Sequence, residues 1–185
     1  MLISIKSLQC IICATIFIGS VFAQNGGDEN YQNNNSVFLE LLGSIPLYSL
    51  NYERIYQTKR NFYACSKLGI GFFPFYISGF SDYKSLDINI ESGILCPKRN
   101  HMFEGGLGFT YRYLYEPINN FGILEQNSDL KLLVPRIGYR YYFNKTNLFI
   151  KIGITPLILL DKNEKGDKYP HGFVPFGGIG IGYCF

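Results

Sequence analysis

Apolar and polar residues alternate with a period of two through most of the chain after residue 35. Tyr48, Leu50 and Tyr52, for example, alternate with the polar Ser49 and Asn51. Such alternation predicts β-strands, because successive side chains of a strand point to opposite faces. Eight segments show it, and each is near or above the roughly 9 to 11 residues that a tilted transmembrane strand needs. The segments are residues 36–44, 47–57, 61–73, 85–95, 102–115, 130–143, 148–157 and 172–185.

The connections between these segments sort by length. An even number of strands also returns the chain to the end of the barrel at which it entered. Short turns at one end and long loops at the other are typical of an outer-membrane barrel. The first hairpin, around Ile45 and Pro46, is the exception to this order. The short connections are residues 58–60, 96–101 and 144–147, and the long ones are residues 74–84, 116–129 and 158–171.

The two faces of the segments differ in composition. The apolar face is almost uninterrupted, whereas the polar face is rich in glycine and carries charges of both signs. Aromatic residues cluster near segment ends, as at 139–143, which suits the interfacial belts of a membrane protein. Periodicity alone also fits a water-soluble barrel with its apolar face inside. We favour the inside-out arrangement, an all-β, eight-stranded, antiparallel up-and-down transmembrane β-barrel. Its lipid-facing residues then include Ile88, Ile90, Phe109, Ile152 and Ile179.

The inward polar positions carry five acids and five bases, which we predict to fill the lumen as a charge network. Charges confined in so narrow a space must pair, because an isolated buried charge costs on the order of several kcal/mol. The guanidinium fork matches a carboxylate, so the core of the network is expected to be Arg136 or Arg140 paired with Glu53, Glu91 or Glu104. A packed lumen is therefore expected in place of an open pore. The ten residues are Glu40, Glu53, Asp87, Glu91 and Glu104 as acids and Lys67, Arg112, Arg136, Arg140 and Lys151 as bases.

The first 35 residues precede the barrel pattern. Lys6 is followed by an apolar run at 8–22, and Ala23 then offers a small residue that signal peptidase accepts. Residues 1–23 are thus expected to be a cleaved signal peptide, with a retained membrane helix as the alternative. Residues 24–35 are polar and rich in Asn and Gly, so a flexible leader is expected before a barrel of residues 36–185.

The last segment carries a candidate assembly signal. Ile181, Tyr183 and Phe185 share the outward parity, and the sequence ends on an aromatic residue. This pattern resembles the C-terminal strand that the outer-membrane assembly machinery reads in bacterial barrel proteins. The expected partners are therefore outer-membrane lipid and that assembly machinery.

Composition and charge exclude several classes of function. With 17 basic and 14 acidic residues the net charge is +3, which does not call for nucleic acid as a partner. Cys65, Cys96 and Cys184 lie in the exported part, and their number and spacing indicate neither a disulfide framework nor a metal site. The Gly-rich stretches 105–108 and 177–180 lie within alternating segments, so a phosphate loop is not indicated. No cofactor and no metal are predicted.

Two stretches carry a family resemblance. Residues 47–54 read LYSLNYER, and residues 135–142 read PRIGYRYY. They look like the small outer-membrane β-barrel proteins common in Bacteroidota, and the likeness in pattern extends over the whole mature chain. The resemblance implies a barrel fold and an outer-membrane location, and it implies no catalytic residue.

We therefore expect a structural or surface-interaction role, with two alternatives. Some outer-membrane barrels modify lipid A with Ser, His and acidic residues near the rim. The other alternative is a ligand-binding barrel or narrow channel, and loops 74–84, 116–129 and 158–171 offer surface contacts through the apolar stretches 75–80 and 117–124. The enzyme candidates here are His171, Asp161, Asp167, Ser81 and Ser85.

Overall fold

The computed structural model describes ten strands, within residues 34–59, 62–74, 84–115, 129–143, 146–160 and 173–185. The strands are β1 (Asn35–Leu41), β2 (Tyr48–Lys59), β3 (Phe62–Pro74), β4 (Lys84–Lys98), β5 (His101–Tyr115), β6 (Asp129–Tyr142), β7 (Leu148–Ile154), β8 (Leu157–Leu159), β9 (Phe173–Val174) and β10 (Gly177–Cys184).

The strands close into an antiparallel barrel. Consecutive strands from β1 to β7 pair with one another, β7 pairs with β10, and β10 pairs with β1. The ring has eight strand positions, because four of the ten strands occupy only two of them. β8 follows β7 in one position and pairs with the same neighbour, β6. β9 pairs with β8 and precedes β10 in the last position. The predicted eight-stranded all-β barrel is confirmed.

Proline interrupts two of the eight strand positions near the end that bears the long loops. Pro156 separates β7 from β8, and Pro175 lies between β9 and β10. Proline has no backbone N–H to donate to a ladder, so regular pairing stops at both positions. The Thr155 amide still donates to the Phe176 carbonyl at 2.8 Å, which bridges the two interruptions. The predicted segments 148–157 and 172–185 are therefore each divided in two.

The alternation of the sequence is also the alternation of burial. In β10 the residues alternate strictly between exposed and buried. Ile88, Ile152 and Ile179 are exposed on the outer face, and Ile90 and Phe109 lie partly exposed on the same face. Outward aromatic side chains form one belt at each end of the barrel. They include Tyr48, Phe72, Tyr111 and Tyr113 at the long-loop end and Phe62, Phe103, Tyr139, Tyr141, Phe143, Tyr183 and Phe185 at the short-turn end.

The first turn, residues 42–47, folds into the barrel. Ser44 and Ile45 are almost completely buried, although they lie at the tip of a hairpin. The Leu42 amide donates to the Leu47 carbonyl at 2.9 Å, and Leu42 adopts a positive φ of 56°. Glycines opposite the turn allow its close approach: a Cβ on Gly71 would lie 2.7 Å from Ile45 Cγ2, and one on Gly178 would lie 2.8 Å from the Leu42 carbonyl. This inward fold explains why the first hairpin is the exception among the connections.

Several sequence expectations fall outside the described residues. They include the signal peptide at 1–23, nearly all of the leader at 24–35, most of the three long loops, and Ser81, Asp161, Asp167 and His171. Within the described ranges, no helix is long and apolar enough to cross a membrane.

Candidate functional site

Eight charged side chains meet in the middle of the barrel, and we call them the lumen network. They come from seven of the ten strands, and the side chain of each is at most 8% exposed. Four are acids and four are bases, so their formal charges cancel. The lumen network consists of Glu40, Glu53, Lys67, Glu91, Glu104, Arg136, Arg140 and Lys151.

Arg136 on β6 is the most connected member. Its Nη1 and Nη2 donate to the two carboxylate oxygens of Glu40 at 2.6 and 3.0 Å. Its Nε lies 2.9 Å from Glu91 Oε1, and its Nη1 lies 3.5 Å from Glu104 Oε1. A bidentate pair with a second carboxylate on Nε is the geometry for which a planar guanidinium is suited. Arg136 thereby joins strands β1, β4, β5 and β6.

Arg140, also on β6, spans the barrel to the opposite wall. Its Nη1 and Nη2 donate to the Glu53 carboxylate at 2.5 and 2.7 Å, and its Nε donates to Glu104 Oε2 at 2.6 Å. The pair of Arg140 with Glu53 belongs to the set that the sequence suggested. The bidentate partner of Arg136 is Glu40, which was among the ten charges but was not named as an arginine partner.

The two lysines complete the charge balance. Lys67 Nζ pairs with Glu91, its neighbour on the adjacent strand. Lys151 Nζ lies 3.1 Å from Glu104 Oε1, where the charges attract although the angle is not that of a hydrogen bond. Lys151 Nζ also lies 4.4 Å from the centre of the Phe38 ring. The face of this inward aromatic ring therefore adds a cation–π contact.

The remaining two predicted charges form a separate pair towards the long-loop end. Arg112 Nε and Nη2 donate to the Asp87 carboxylate at 2.9 and 2.7 Å, between directly paired positions of β4 and β5. The Asp87 side chain is fully buried, whereas that of Arg112 is 18% exposed. The structure thus brings eight of the ten charges into one network and places the other two beside it.

Apolar layers close the lumen above and below the network. At the short-turn end, two clusters of inward side chains share a contact with Tyr142. At the long-loop end, Leu132, Val134 and Leu157 form a third cluster. The two short-turn clusters consist of Ile55, Tyr63, Cys65, Leu95 and Met102, and of Phe38, Phe149 and Cys184.

The inward turn is the part of the site that sequence reasoning missed. Ser44 Oγ accepts a hydrogen bond from Arg136 Nη2 at 2.7 Å and donates to Glu91 Oε2 at 3.2 Å. The Ser44 carbonyl accepts from the Thr110 hydroxyl at 3.1 Å, and Thr110 in turn accepts from Asn89 Nδ2 at 2.9 Å. The turn therefore caps the network from the long-loop end. The available signal was its composition, with Ile45 and Pro46 in place of the richer Gly and Asn content of exposed hairpins.

The arrangement is suited to holding strands together, and among the described residues it offers no reactive constellation. No group of three His, Cys, Asp or Glu side chains in the described ranges could hold a metal ion. Ser85 is the only enzyme candidate within those ranges, and its side chain is buried facing the lumen.

The other predicted residues are placed as follows. Cys65 and Cys184 are buried and face inward, Cys96 is half-buried, and none of these three described cysteines forms a disulfide. Ile181, Tyr183 and Phe185 are each about half exposed on the outer face. The Phe185 amide donates to the Asn35 carbonyl at 2.9 Å, which joins the end of the last strand to the start of the first.

The fold and the site together define an outer-membrane type of eight-stranded barrel, with a lumen filled by side chains. Among solved structures, the chain resembles Ail, the attachment invasion locus protein of Yersinia pestis, in complex with the heparin analogue sucrose octasulfate. The TM-score is 0.52 and the identity 16%, over 82% of this chain and 94% of that one. At such identity the likeness shows the fold alone.

Two further solved barrels are similar. The N-terminal β-barrel domain of Pseudomonas aeruginosa OprF matches with a TM-score of 0.46 and 12% identity, over 83% of this chain and 98% of that one. Neisserial surface protein A matches with a TM-score of 0.47 and 11% identity, over 82% and 94%. No protein-family model and no curated protein matches the sequence.

Proposed function

We propose that the protein is a bacterial outer-membrane barrel that does not conduct and that has a structural or surface-interaction role in the cell envelope. The observation that carries the proposal is the filled lumen. Arg136 and Arg140 connect opposite walls, and the turn around Ser44 seals the network from one end. Eight-stranded barrels have an interior just wide enough for side chains, and a network that fills it supports a lumen without a permeation path.

The membrane location is supported by the outer surface. The apolar outer face lies between two belts of aromatic residues, an arrangement typical of outer-membrane barrels. Closed barrels also satisfy all their backbone hydrogen bonds within lipid, which open sheets cannot do. The likeness to small barrels of Bacteroidota and the cleaved signal peptide remain predictions within this proposal.

Fractionation of the cell envelope, combined with heat-modifiable gel mobility, tests this location. We expect the chain in the outer-membrane fraction, with a folded form that migrates differently from the boiled form. A soluble chain whose mobility does not depend on boiling would contradict the proposal.

The surface-interaction role rests on the composition of the long loops. Residues 75–80 and 117–124 are unusually apolar for loops of a surface protein, and apolar surface patches often mark contact sites. Variants lacking either stretch should still insert into the membrane and should lose partners recovered from a surface extract. Unchanged recovery with both variants would leave the barrel with its structural role alone.

Lipid modification is the enzymatic alternative, and mass spectrometry of lipid A tests it. We expect the same lipid A profile with and without expression of the chain. A new or missing acyl chain or phosphate would contradict the non-enzymatic proposal.

A further inference from the structure

In the part of the chain that the structure describes, exposed charged side chains are distributed unequally between the two ends of the barrel. At the short-turn end, Lys98, Arg99 and His101 are exposed around the β4–β5 turn. Among the described residues, the single exposed acid is Asp129, at the long-loop end. All other described acids are buried in the lumen. Among the described residues of the short-turn end, the exposed side chains that carry acidic or basic groups are therefore basic.

Aromatic rings adjoin these basic groups on the outer face. Lys98 and His101 are paired positions of β4 and β5, and His101 is paired with Tyr141 of β6. The His101 ring centre lies 5.3 Å from that of Tyr141 and 5.9 Å from that of Tyr139. The Tyr139 hydroxyl also hydrogen-bonds His101 Nδ1, which leaves Nε2 for a ligand. We call Lys98, Arg99, His101, Tyr139 and Tyr141 the rim patch.

Arg99 occupies a backbone conformation that does not favour arginine. Its φ is 58°, in the left-handed region that glycine and asparagine adopt more readily. A long cationic side chain at such a position is retained at a conformational cost. This observation agrees with a role for its charge at the tip of the turn.

We propose that the rim patch binds the phosphate headgroup of an anionic phospholipid in the periplasmic leaflet, an inference that rests on the proposed membrane location. The bases lie at the polar end of the apolar band, where headgroups lie, and Phe103 continues the same outer face into that band. A lipid would contact both parts at once, with its phosphate on the bases and its acyl chains along the apolar wall. A soluble acidic partner would contact the basic groups and would leave the aromatic and apolar surface beside them uncovered. Basic groups beside a bilayer attract anionic lipid in this way.

Backbone amide NMR of the full chain in phosphatidylcholine bicelles tests the proposal when phosphatidylglycerol is added in increasing proportion. We expect saturable shifts confined to the rim patch and its neighbours. Lys98→Gln should weaken the apparent affinity about 5-fold, and Lys98→Gln with Arg99→Asn about 30-fold, from the usual contribution of a basic residue near an anionic surface. Asparagine tolerates the positive φ, so the double variant should fold.

Lys131→Gln is the matched control, because it removes a partly exposed cation of the outer face at the opposite end. It should leave the titration unchanged. Shifts spread over the whole barrel, or equal affinity in the double variant, would overturn the proposal. So would shifts at the rim patch on adding soluble acidic peptidoglycan fragments but none on adding phosphatidylglycerol. Amide signals without the wide spread of chemical shifts that a folded β-barrel gives would instead contradict the proposed membrane barrel itself. Failure of the lipid proposal and failure of the membrane barrel therefore give different results.

Discussion

Each guanidinium of the lumen network carries five donors that must find acceptors away from water. Arg136 finds them on Glu40, Glu91 and Ser44, and Arg140 finds them on Glu53 and Glu104. Burial of such charges does not by itself stabilise a fold, because the loss of hydration offsets much of their attraction. The removal of one partner is nevertheless costly, since the others stay buried and unpaired. The arginines therefore act mainly by making one arrangement of strands the favoured one.

Arg136→Ala should lower the free energy of unfolding by about 3 to 5 kcal/mol, because Glu40 loses its bidentate partner. Urea unfolding in lipid vesicles measures this change, with the folded fraction at each urea concentration read from the gel mobility of unboiled samples. Arg54→Ala is the control, since Arg54 is an exposed cation on the outer face of β2 and lies outside the network. Equal losses in the two variants would contradict the special role of the network.

Gly182→Ala should destabilise the barrel by about 1 to 3 kcal/mol through overpacking. A Cβ at this inward position would lie 2.5 Å from Phe38 Cβ. Gly105→Ala is the matched control, because a Cβ there meets no atom within 4 Å on the outer face. The same unfolding assay should give a lower stability for Gly182→Ala than for Gly105→Ala. Equal stability of the two variants would show that side chains pack less tightly around Gly182 than the structure indicates.

At the scale of the element, each strand has one face for lipid and one for the lumen. β7 shows both faces in seven residues, with Phe149 and Lys151 buried and Leu148, Ile150 and Ile152 exposed. A shift of register by one residue would turn Lys151 to the lipid and an isoleucine to the network. The inward charges therefore help to determine the register of every strand that carries one.

Ile152→Arg should cost about 2 to 4 kcal/mol if the exposed face of β7 meets lipid near the bilayer midplane, whereas Leu148→Arg near the interface should cost about 0 to 1 kcal/mol. Both residues lie on the outer face of the same strand. Refolding yield and unfolding free energy in vesicles give the comparison. If neither substitution lowered the unfolding free energy, the exterior would face water, which would contradict the membrane barrel.

At the scale of the whole molecule, period-two alternation predicts the number of strands, the sorting of the loops by length predicts the barrel, and the composition of the two faces predicts which face points inward. It could not determine which charges meet across the lumen, since the pairing of Arg136 with Glu40 depends on the stagger of strands distant in sequence. The inward turn was also beyond reach, because its direction depends on contacts with Gly71 and Gly178. Pro156 and Pro175 were visible in the sequence, but the interruptions that they cause were not predicted.

Recording from planar lipid bilayers that contain the purified wild-type chain tests the closed lumen most directly. A lumen filled by the network and capped by the turn at Ser44 should give no steady current above that of the bare bilayer. Heat-modifiable mobility of the same sample serves to show that folded barrels are present. A large and steady porin-like conductance from such a sample would contradict the account.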